Sequence, residues 1–264
     1  MSHRPVVSLI SDFGLADEYV GVVKGVILSR QPDVTIVDIC HTIPPQDIDA
    51  AAFILSRAYP FFPTGTIFVV IVDPGVGSDR HILAAEWDGR IFIGPDNGSL
   101  SPILRAAGPE LLLYRISTST LPQPVSATFH GRDIMAPLAG LLAGGRPIDQ
   151  FGTKISVNMC NLLPQHQLEI SPSQVTGAVI HIDAFGNLCT SITKAVATSL
   201  APSEALSVRI GSAVITGVNR YYAEGKGLLA LWDSHDHLEI AWPGGSARNM
   251  LQANRGDQVK VVKA

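Results

Sequence analysis

The sequence predicts an α/β protein in which an N-terminal α/β domain with a largely parallel central sheet precedes a smaller all-β barrel domain. Over the first half of the chain, apolar runs alternate with helical patterns, which is typical of a parallel sheet. Near residue 150 this alternation stops, and short strand patterns follow with little helix between them. We therefore expect a domain at 1–158, a linker at 159–172 and a domain at 173–264.

The N-terminal elements form a strand–helix–strand–helix–strand series. Short apolar runs predict strands at Val6–Ile10, Val34–Cys40 and Thr66–Val72. Apolar residues at helical spacing predict helices over Asp17–Ser29 and Ile48–Tyr59. The third strand is apolar throughout, so we expect helices to cover both of its faces.

A hairpin and a further helix follow this series. The predicted strands His81–Glu86 and Arg90–Ile93 flank Trp87-Asp88-Gly89, a favourable hairpin turn. The stretch Asp133–Ala143 is apolar at helical spacing, and Pro137 interrupts it.

The C-terminal half carries short apolar runs separated by turns that contain Gly and Asp, as in a small barrel or sandwich. The runs that predict strands are Val175–Ile182, Ser207–Ile210, Ala213–Ile215, Leu228–Trp232, Leu238–Trp242 and Gln258–Val262.

Composition excludes several classes of protein. Hydrophobic residues make up 46% of the 264 residues and charged residues 16%, which excludes a disordered chain. A net charge of −4 argues against a nucleic-acid partner. The longest apolar run, Ile67–Val72, is too short for a bilayer, and the start of the chain leaves no room for a signal peptide. Since the cysteines form no CxxC pair, we expect reduced thiols in a soluble, cytoplasmic protein.

Acidic residues lie at the carboxyl ends of the predicted parallel strands, where ligands bind in such sheets. Asp12 follows the first strand, Asp38 lies near the end of the second, and Asp73 follows the third. A carboxylate there suits ribose hydroxyls or a substrate ammonium. The alternative is that Asp12 or Asp17 caps the following helix.

No phosphate-binding motif accompanies these carboxylates. The turn Gly75-Val76-Gly77 is too short for either Gly-rich phosphate loop, and the sequence contains no Walker loop or dinucleotide fingerprint. A bound nucleoside would therefore carry no phosphate that needs a cradle.

Other polar motifs each permit two interpretations. His130 is either structural or an acid–base residue suited to neutral pH. His235 and His237 suggest a metal pair or a solvated turn; no third ligand is near, and we expect no metal. The segment Asp183–Asn187 is a tight turn with Asn187 left-handed, or it presents the Asn187 amide to a base edge.

Taken in order, five motifs resemble one family, the S-adenosyl-L-methionine (SAM) hydroxide adenosyltransferases, which are relatives of the SAM-dependent fluorinase and chlorinase. The resemblance runs nearly end to end. The motifs are Ser11-Asp12-Phe13-Gly14, Val72-Asp73-Pro74-Gly75-Val76-Gly77, Pro95-Asp96-Asn97-Gly98, Thr128-Phe129-His130-Gly131-Arg132-Asp133 and Asp183-Ala184-Phe185-Gly186-Asn187.

The resemblance implies hydrolysis of SAM to adenosine and L-methionine by in-line attack of an activated water on ribose C5′. SAM is then the substrate, and no cofactor is expected. The family resemblance also implies a homotrimer that binds SAM between one subunit's N-terminal domain and its neighbour's C-terminal domain. Asp12 matches the residue that holds the ribose hydroxyls, and Asp17 and Asp183 match contacts to the methionine ammonium.

Contacts to the adenine and to the methionine carboxylate are implied in the same way. Phe185 and Asn187 match adenine-side residues, and the backbone of Trp242 and Gly244 would meet the adenine edge. Ser234 matches a contact to the carboxylate.

One position departs from the halogenases near that serine. His235 stands where fluorinase carries Arg, and a neutral imidazole holds a carboxylate less firmly than a bidentate guanidinium.

The hydroxide branch of the family carries an Asp, Arg and His set, which matches Asp73, Arg80 and His130. Halogenases carry Tyr at the position of Asp73. Phe129 and Gly131 are expected to contact the substrate beside this set. A carboxylate, a guanidinium and an imidazole can orient a water and favour its partial deprotonation.

Two other functions remain open at this stage. One is a SAM- or adenosine-binding module with incidental hydrolysis, since such a site needs almost the same residues. The other is a SAM-dependent chlorinase, against which Asp73 argues because a carboxylate repels a halide.

Overall fold

The computed structural model describes residues 4–264, which fold into two compact units. The first unit ends at Leu163 and the second runs from Pro164 to Ala264. Across residues 4–264, every helix is too short or too polar to cross a bilayer.

The N-terminal unit contains a mixed sheet covered by helices. Its strands are β1 Val6–Ser11, β2 Thr35–Cys40, β3 Ile67–Ile71, β4 Ile82–Trp87, β5 Arg90–Pro95, β6 Leu112–Ile116 and β7 Gly152–Lys154. Its α-helices are α1 Tyr19–Arg30, α2 Ile48–Ala58, α3 Ser101–Ala106 and α4 Ala136–Ala143. The strand order is β2-β1-β3-β5-β4-β6-β7. Strands β2, β1, β3 and β5 are parallel, and the remaining pairings are antiparallel. The predicted α/β class is confirmed.

Strand β3 is buried on both faces, as its continuous apolar run predicts. Ile67 and Val69 pack into the core formed with α1 and α4. Phe68 and Val70 pack into the core formed with α2 and α3. The alternation follows from the two-residue period of a strand, and it places the carboxyl end of β3 between two rigid layers.

The predicted hairpin turn is confirmed at the β4–β5 connection. Asp88 and Gly89 have φ of 52° and 66°, and Trp87 pairs with Arg90 across the turn. Positive φ at both central residues is the geometry that twists with the flanking strands.

The predicted helix over Asp133–Ala143 consists of two parts. Gly131–Met135 forms a π-helical turn, in which the Ala136 N–H bonds to the Gly131 carbonyl, and α4 continues from it. Pro137 lies in the first turn of α4, where its missing N–H costs little. A π-turn at this point is significant because such turns often accompany functional sites.

Strand β6 and helix α3 were not predicted. Each has six residues or fewer, and apolar runs of that length do not distinguish a helix from a strand. Pairing with β4 determines that β6 is a strand.

The C-terminal unit is a nearly closed antiparallel barrel, as predicted. Its strands are β8 Glu169–Ile170, β9 Gln174–Ile182, β10 Leu188–Thr193, β11 Leu206–Ile210, β12 Ala213–Thr216, β13 Leu229–Trp232, β14 His237–Ala241 and β15 Gln258–Lys263. The order is β12-β11-β15-β9-β10-β14-β13, with β8 on β9 and with short helices α5 Lys194–Thr198 and α6 Ala247–Leu251. After β12, Asn219 forms an isolated β-bridge with Leu231 of β13, which brings the two edges of the sheet close to each other.

Every strand predicted in this half is present, and β8 and β10 are additional. β10 mixes Thr and Ser with apolar residues, so it lacks the continuous run that indicated the others. β8 has only two residues and is defined by its pairing with β9.

Candidate active site

The N-terminal unit has a pocket of about 400 Å³ at the carboxyl ends of its parallel strands. Ser11 and Ile71 are register partners at the ends of β1 and β3, so the residues that follow them emerge together. The pocket is lined by Asp12, Phe13, Tyr19, Pro45, Gln46, Ile71, Asp73, Pro74, Val76, Thr128, Phe129, His130 and Gly131. The structure thus brings together Asp12, Asp73, Phe129, His130 and Gly131 of the predicted set.

Asp73 forms a bidentate ion pair with Arg80. The Arg80 Nε donates to Asp73 Oδ1 at 2.9 Å, and Nη2 donates to Oδ2. The two side chains are only 7% and 10% exposed, respectively. Arg80 Nη2 also donates to His130 Nδ1 at 2.6 Å. We name Asp73, Arg80 and His130 the charged cluster.

Burial lowers the pKa of His130 below its ordinary value of 6.5, and the positive charge of Arg80 lowers it further. Asp73 and Asp133 oppose this effect without reversing it. The imidazole is therefore neutral at pH 7. Because Nδ1 accepts the hydrogen bond from Arg80, the ring carries its hydrogen on Nε2.

Two glycines allow the loops of this site to approach one another. A Cβ at Gly77 would clash with the Ala127 carbonyl oxygen, and φ there is +81°. A Cβ at Gly131 would lie 2.7 Å from Ile71 Cγ2. The loop that carries His130 can therefore pack directly on the end of β3 only because these positions lack side chains.

Asp133 fixes the same loop from its other side. It accepts the Ser126 backbone N–H at 2.8 Å and pairs with Arg132, whose Nε lies 2.7 Å from Oδ1. The hydrogen bond from Arg132 lowers the pKa of Asp133. The Arg132 guanidinium also stacks on Phe129, 5.2 Å from the ring centroid.

The helix-capping interpretation of the first motif is wrong. Glu18 is the N-cap of α1, and no side chain there makes a capping hydrogen bond. Asp12 instead accepts the Gln46 backbone N–H at 2.8 Å and faces the pocket. Asp17 is exposed and does not line the pocket. Asp38 lies within β2 and forms an ion pair with Lys24, whose Nζ is 2.6 Å from Asp38 Oδ2.

An aromatic cluster forms one wall of the pocket. Phe13, Tyr19 and Phe129 have ring centroids 5.4–5.7 Å apart. Phe13 lies within the Ser11–Gly14 motif, so the sequence did indicate that it belongs to the site. Tyr19 opens α1, and no pattern in the sequence marked it as a site residue.

The C-terminal unit has a pocket of its own, of about 520 Å³. It is lined by Asp183, Phe185, Asn187, Tyr222, Trp242, Pro243, Gly244 and Gly245. All of the residues predicted around the adenine lie here, together with Asp183. Sequence reasoning missed Tyr222, Pro243 and Gly245; the two last are neighbours of predicted residues.

Asp183 organises the turn that borders this pocket. Its Oδ1 accepts the backbone N–H groups of Phe185 and Asn187, at 2.9 and 2.8 Å. Its Oδ2 accepts one amide hydrogen of Asn187 at 3.0 Å, which leaves the second amide hydrogen and the amide oxygen for another partner. The residue with positive φ is Gly186, at +82°, so the expectation of a left-handed Asn187 is wrong.

Tyr222 is anchored by Glu239 at the edge of the pocket. The phenol donates to Glu239 Oε1 at 2.7 Å, and Glu239 is buried. Burial raises the pKa of Tyr222, and the hydrogen bond to Glu239 raises it further. The phenol therefore stays protonated at neutral pH.

Ser234 and His235 lie in the β13–β14 turn and do not line either pocket. Asp233 Oδ1 accepts the backbone N–H groups of His235 and His237, at 2.8 and 3.0 Å. The His237 Nδ1 bonds to the Thr190 carbonyl at 2.8 Å. The turn interpretation is confirmed, and among residues 4–264 no group of three His, Cys, Asp or Glu side chains could hold a metal ion.

Comparison with protein families gives two matches that together span most of the chain. The family model of the SAM hydroxide adenosyltransferase N-terminal domain matches residues 7–152, and that of the C-terminal domain matches residues 177–260.

Two relatives match over nearly the whole length of the chain, and a third matches over about three quarters of it. A protein of Thermus thermophilus named (R)-S-adenosyl-L-methionine hydrolase is 38% identical over 271 residues, which cover 98% of this chain and 100% of that one. A protein of the same name from Salinispora arenicola is 32% identical and covers 99% of each chain. A fluorinase of Nocardia brasiliensis is 30% identical over 72% of this chain and 71% of its own.

Among solved structures, an uncharacterized conserved protein from Thermotoga maritima superposes with a TM-score of 0.89. It is 31% identical, and the match covers 97% of this chain and 100% of that one.

Proposed function

Because the chain belongs to the SAM hydroxide adenosyltransferase family, we propose that it hydrolyses SAM to adenosine and L-methionine. The observation that carries this proposal is the charged cluster, in which Arg80 is hydrogen-bonded to both Asp73 and His130 beside a pocket. Such a cluster offers donors and an acceptor to one small polar molecule, as a nucleophilic water requires.

In the proposed reaction, the Nε2–H of His130 donates to the water oxygen, and the Asp73 carboxylate accepts a water hydrogen. The water oxygen attacks ribose C5′ from about 3–3.5 Å, in line with the sulfur. The C5′–O bond forms as the C5′–S bond breaks, and its electrons pass to sulfur. Methionine leaves as a neutral thioether, so no general acid is needed, and the water proton passes to Asp73.

Asp73 rather than His130 is the proton acceptor in this scheme. The His130 Nδ1 lone pair is engaged by Arg80, and Nε2 already carries the hydrogen. Arg80 fixes the orientation of both partners and neutralises the carboxylate. Attack removes the positive charge of the sulfonium, so a pocket with an aromatic wall that excludes water favours the transition state.

The substrate contacts are proposed on the same basis. Asp12 holds the ribose hydroxyls with the oxygen that Gln46 leaves free. Asn187 meets the adenine edge with the amide groups that Asp183 leaves free. The remaining proposed contacts are Asp17, Phe129, Gly131, Asp183, Phe185, Ser234, His235, Trp242 and Gly244, and no cofactor is needed.

We also propose a homotrimer in which SAM lies between the N-terminal unit of one copy and the C-terminal unit of its neighbour. Support comes from the distribution of proposed contacts, since each unit has a pocket with a different part of the set. Light scattering on the purified protein tests the trimer. We also propose a cytoplasmic location, which fits the lack of disulfides among the described residues.

The test of the reaction is product analysis by mass spectrometry after incubation with SAM in oxygen-18 water that contains chloride. We expect adenosine labelled at the 5′-oxygen and unlabelled methionine. Unlabelled adenosine would exclude attack of water at C5′. A 5′-chloro nucleoside would instead indicate a halogenase, and intact SAM would indicate a binding module.

A further inference from the structure

Three contacts tie the segment after β2 to the loop after β1. His41 Nδ1 lies 2.7 Å from Ser11 Oγ, and the His41 carbonyl accepts the Gly14 N–H at 2.7 Å. The third contact is the hydrogen bond from the Gln46 N–H to Asp12 at 2.8 Å. The loop that carries Asp12 is therefore held at points before, at and after this residue.

The His41 side chain is the buried element of this connection, with 4% of its surface exposed. Its Nε2 lies 3.1 Å from Asp38 Oδ1, and the other oxygen of Asp38 accepts from Lys24 Nζ at 2.6 Å. Lys24 belongs to α1 and Asp38 to β2, so the row of side chains links the loop to two elements of the fold.

We propose that His41 is a positioning residue for the Asp12 carboxylate. This proposal rests on the proposed function, in which Asp12 binds the ribose hydroxyls. His41 Nε2 is buried and lies outside hydrogen-bond geometry, but the charged group nearest to it is the Asp38 carboxylate, which repels an imidazole lone pair. The His41 hydrogen therefore resides on Nε2, and Nδ1 accepts the Ser11 hydroxyl. The Ser11 oxygen then accepts the Phe13 N–H, 3.4 Å away. The bonds from Phe13 to Ser11 and from Ser11 to His41 point in the same direction and polarise one another.

Asp12 is flanked by the two residues that this row holds, Ser11 and Phe13. When the bond from Ser11 to His41 is absent, the loop can populate orientations in which Asp12 no longer faces the ribose. The charged cluster lies on other loops, after β3 and before α4, so the substitution removes none of its hydrogen bonds. Substitutions at His41 that remove the bond from Ser11 are therefore expected to raise KM for SAM and to leave kcat unchanged.

Two conservative substitutions distinguish the role of Nδ1 from that of Nε2. The amide oxygen of His41→Asn lies near the position of Nδ1 and can still accept from Ser11. The amide nitrogen of His41→Gln lies near Nε2 and can donate only toward Asp38. We expect His41→Gln and Ser11→Ala each to raise KM by about five- to tenfold, the cost of one buried hydrogen bond. His41→Asn should remain within about twofold of the wild type.

The double variant Ser11→Ala/His41→Gln tests whether both changes remove the same bond. Its KM should be no higher than that of either single variant, because interacting residues are not additive. The exposed His166 of the C-terminal unit supplies the matched control, His166→Gln, which should leave KM unchanged. Melting temperatures confirm that every variant is folded in the assay.

Equal increases of KM for His41→Asn and His41→Gln would overturn the proposal, as would a fall in kcat for either one. Nitrogen-15 NMR of the free protein provides a readout that needs no substrate. We expect the Nδ1 signal of His41 to be that of a nitrogen without a hydrogen; a hydrogen on Nδ1 would contradict the proposed bond from Ser11. If the wild type releases no adenosine, the proposed function fails, while NMR still decides the state of His41.

Discussion

The pockets of the two units differ in what forms them. In the N-terminal unit, buried ionic side chains lie at the pocket, and Asp73 is only 7% exposed. In the C-terminal unit, the Asp183–Asn187 turn and the aromatic rings of Tyr222 and Trp242 line the pocket, and Phe185 is 77% exposed. Buried charges held by one another suit the activation of a nucleophile, and a shaped turn with aromatic rings suits recognition of a flat base. We therefore expect changes in the first pocket to alter turnover and changes in the second to alter binding.

The largest effect is expected for Asp73→Asn, which removes the proton acceptor and keeps the shape of the side chain. Turnover should fall by about 10²–10⁴-fold, the usual contribution of general acid–base catalysis. The Kd for SAM, measured by calorimetry, should change by less than about tenfold, since Asp73 contacts the water rather than the substrate.

Asp79→Asn is the matched control for this prediction. Asp79 is an exposed carboxylate in the same loop, and its removal should leave kcat unchanged. If Asp73→Asn hydrolysed SAM at the wild-type rate, the expectation that the first pocket governs turnover and the second governs binding would be wrong.

The second prediction concerns the turn of the C-terminal pocket. A Cβ at Gly186 would clash with the Ser246 hydroxyl and lie 2.8 Å from its Cβ, at a φ of +82°. Gly186→Ala should lower the free energy of unfolding by about 1–3 kcal/mol. Urea denaturation measures this change.

Gly227→Ala separates the two causes of that loss. Gly227 has a φ of +84°, and a Cβ added there would have no neighbouring atom within 4 Å. Its substitution should cost only the backbone strain, about 1 kcal/mol. Equal losses at both positions would show that the contact with Ser246 does not constrain the turn.

A third, smaller effect is expected for Asn187→Ala. The variant loses the amide that Asp183 orients toward the pocket. We expect KM for SAM to rise about tenfold, the cost of one or two hydrogen bonds, with kcat at saturation unchanged. A fall in kcat without a change in KM would place Asn187 among the residues that act on turnover.

The smallest predicted effect is a pH dependence of stability that comes from His130. Burial and the charge of Arg80 lower the pKa of His130 in the folded state, so the unfolded state binds more protons between that lowered value and 6.5. The free energy of unfolding should therefore rise with pH across this window. His130→Gln should lose this rise in urea denaturation at a series of pH values. An unchanged slope would show that His130 does not titrate below its ordinary range.

Local patterns were sufficient to predict most of the fold. The third strand was predicted from an unbroken apolar run, and the Asp88-Gly89 turn from residues that tolerate positive φ. Strands β8 and β10 were not predictable in this way, because their pairing with β9 rather than their own composition makes them strands.

The candidate site was predictable to a similar extent. The rule that ligands bind at the carboxyl ends of parallel strands singled out Asp12 and Asp73, and both line one pocket. The same rule placed Asp38 there, but Asp38 pairs with Lys24 instead, at 2.6 Å. Tyr19 and Tyr222 line their pockets because of tertiary packing, which local sequence patterns do not predict.

The sequence by itself determined the fold class, the order of the motifs and the family, because each depends on residue types at fixed positions along the chain. Only the tertiary structure decided which groups are bonded to which. Arg80 and His130 are 50 positions apart, and their 2.6 Å contact determines which nitrogen of the imidazole carries the hydrogen. Ser11 and His41 meet across parallel strands for the same reason. Hydrogen bonds between distant residues depend on the packing of whole elements, and that packing assigns the chemical role of each side chain.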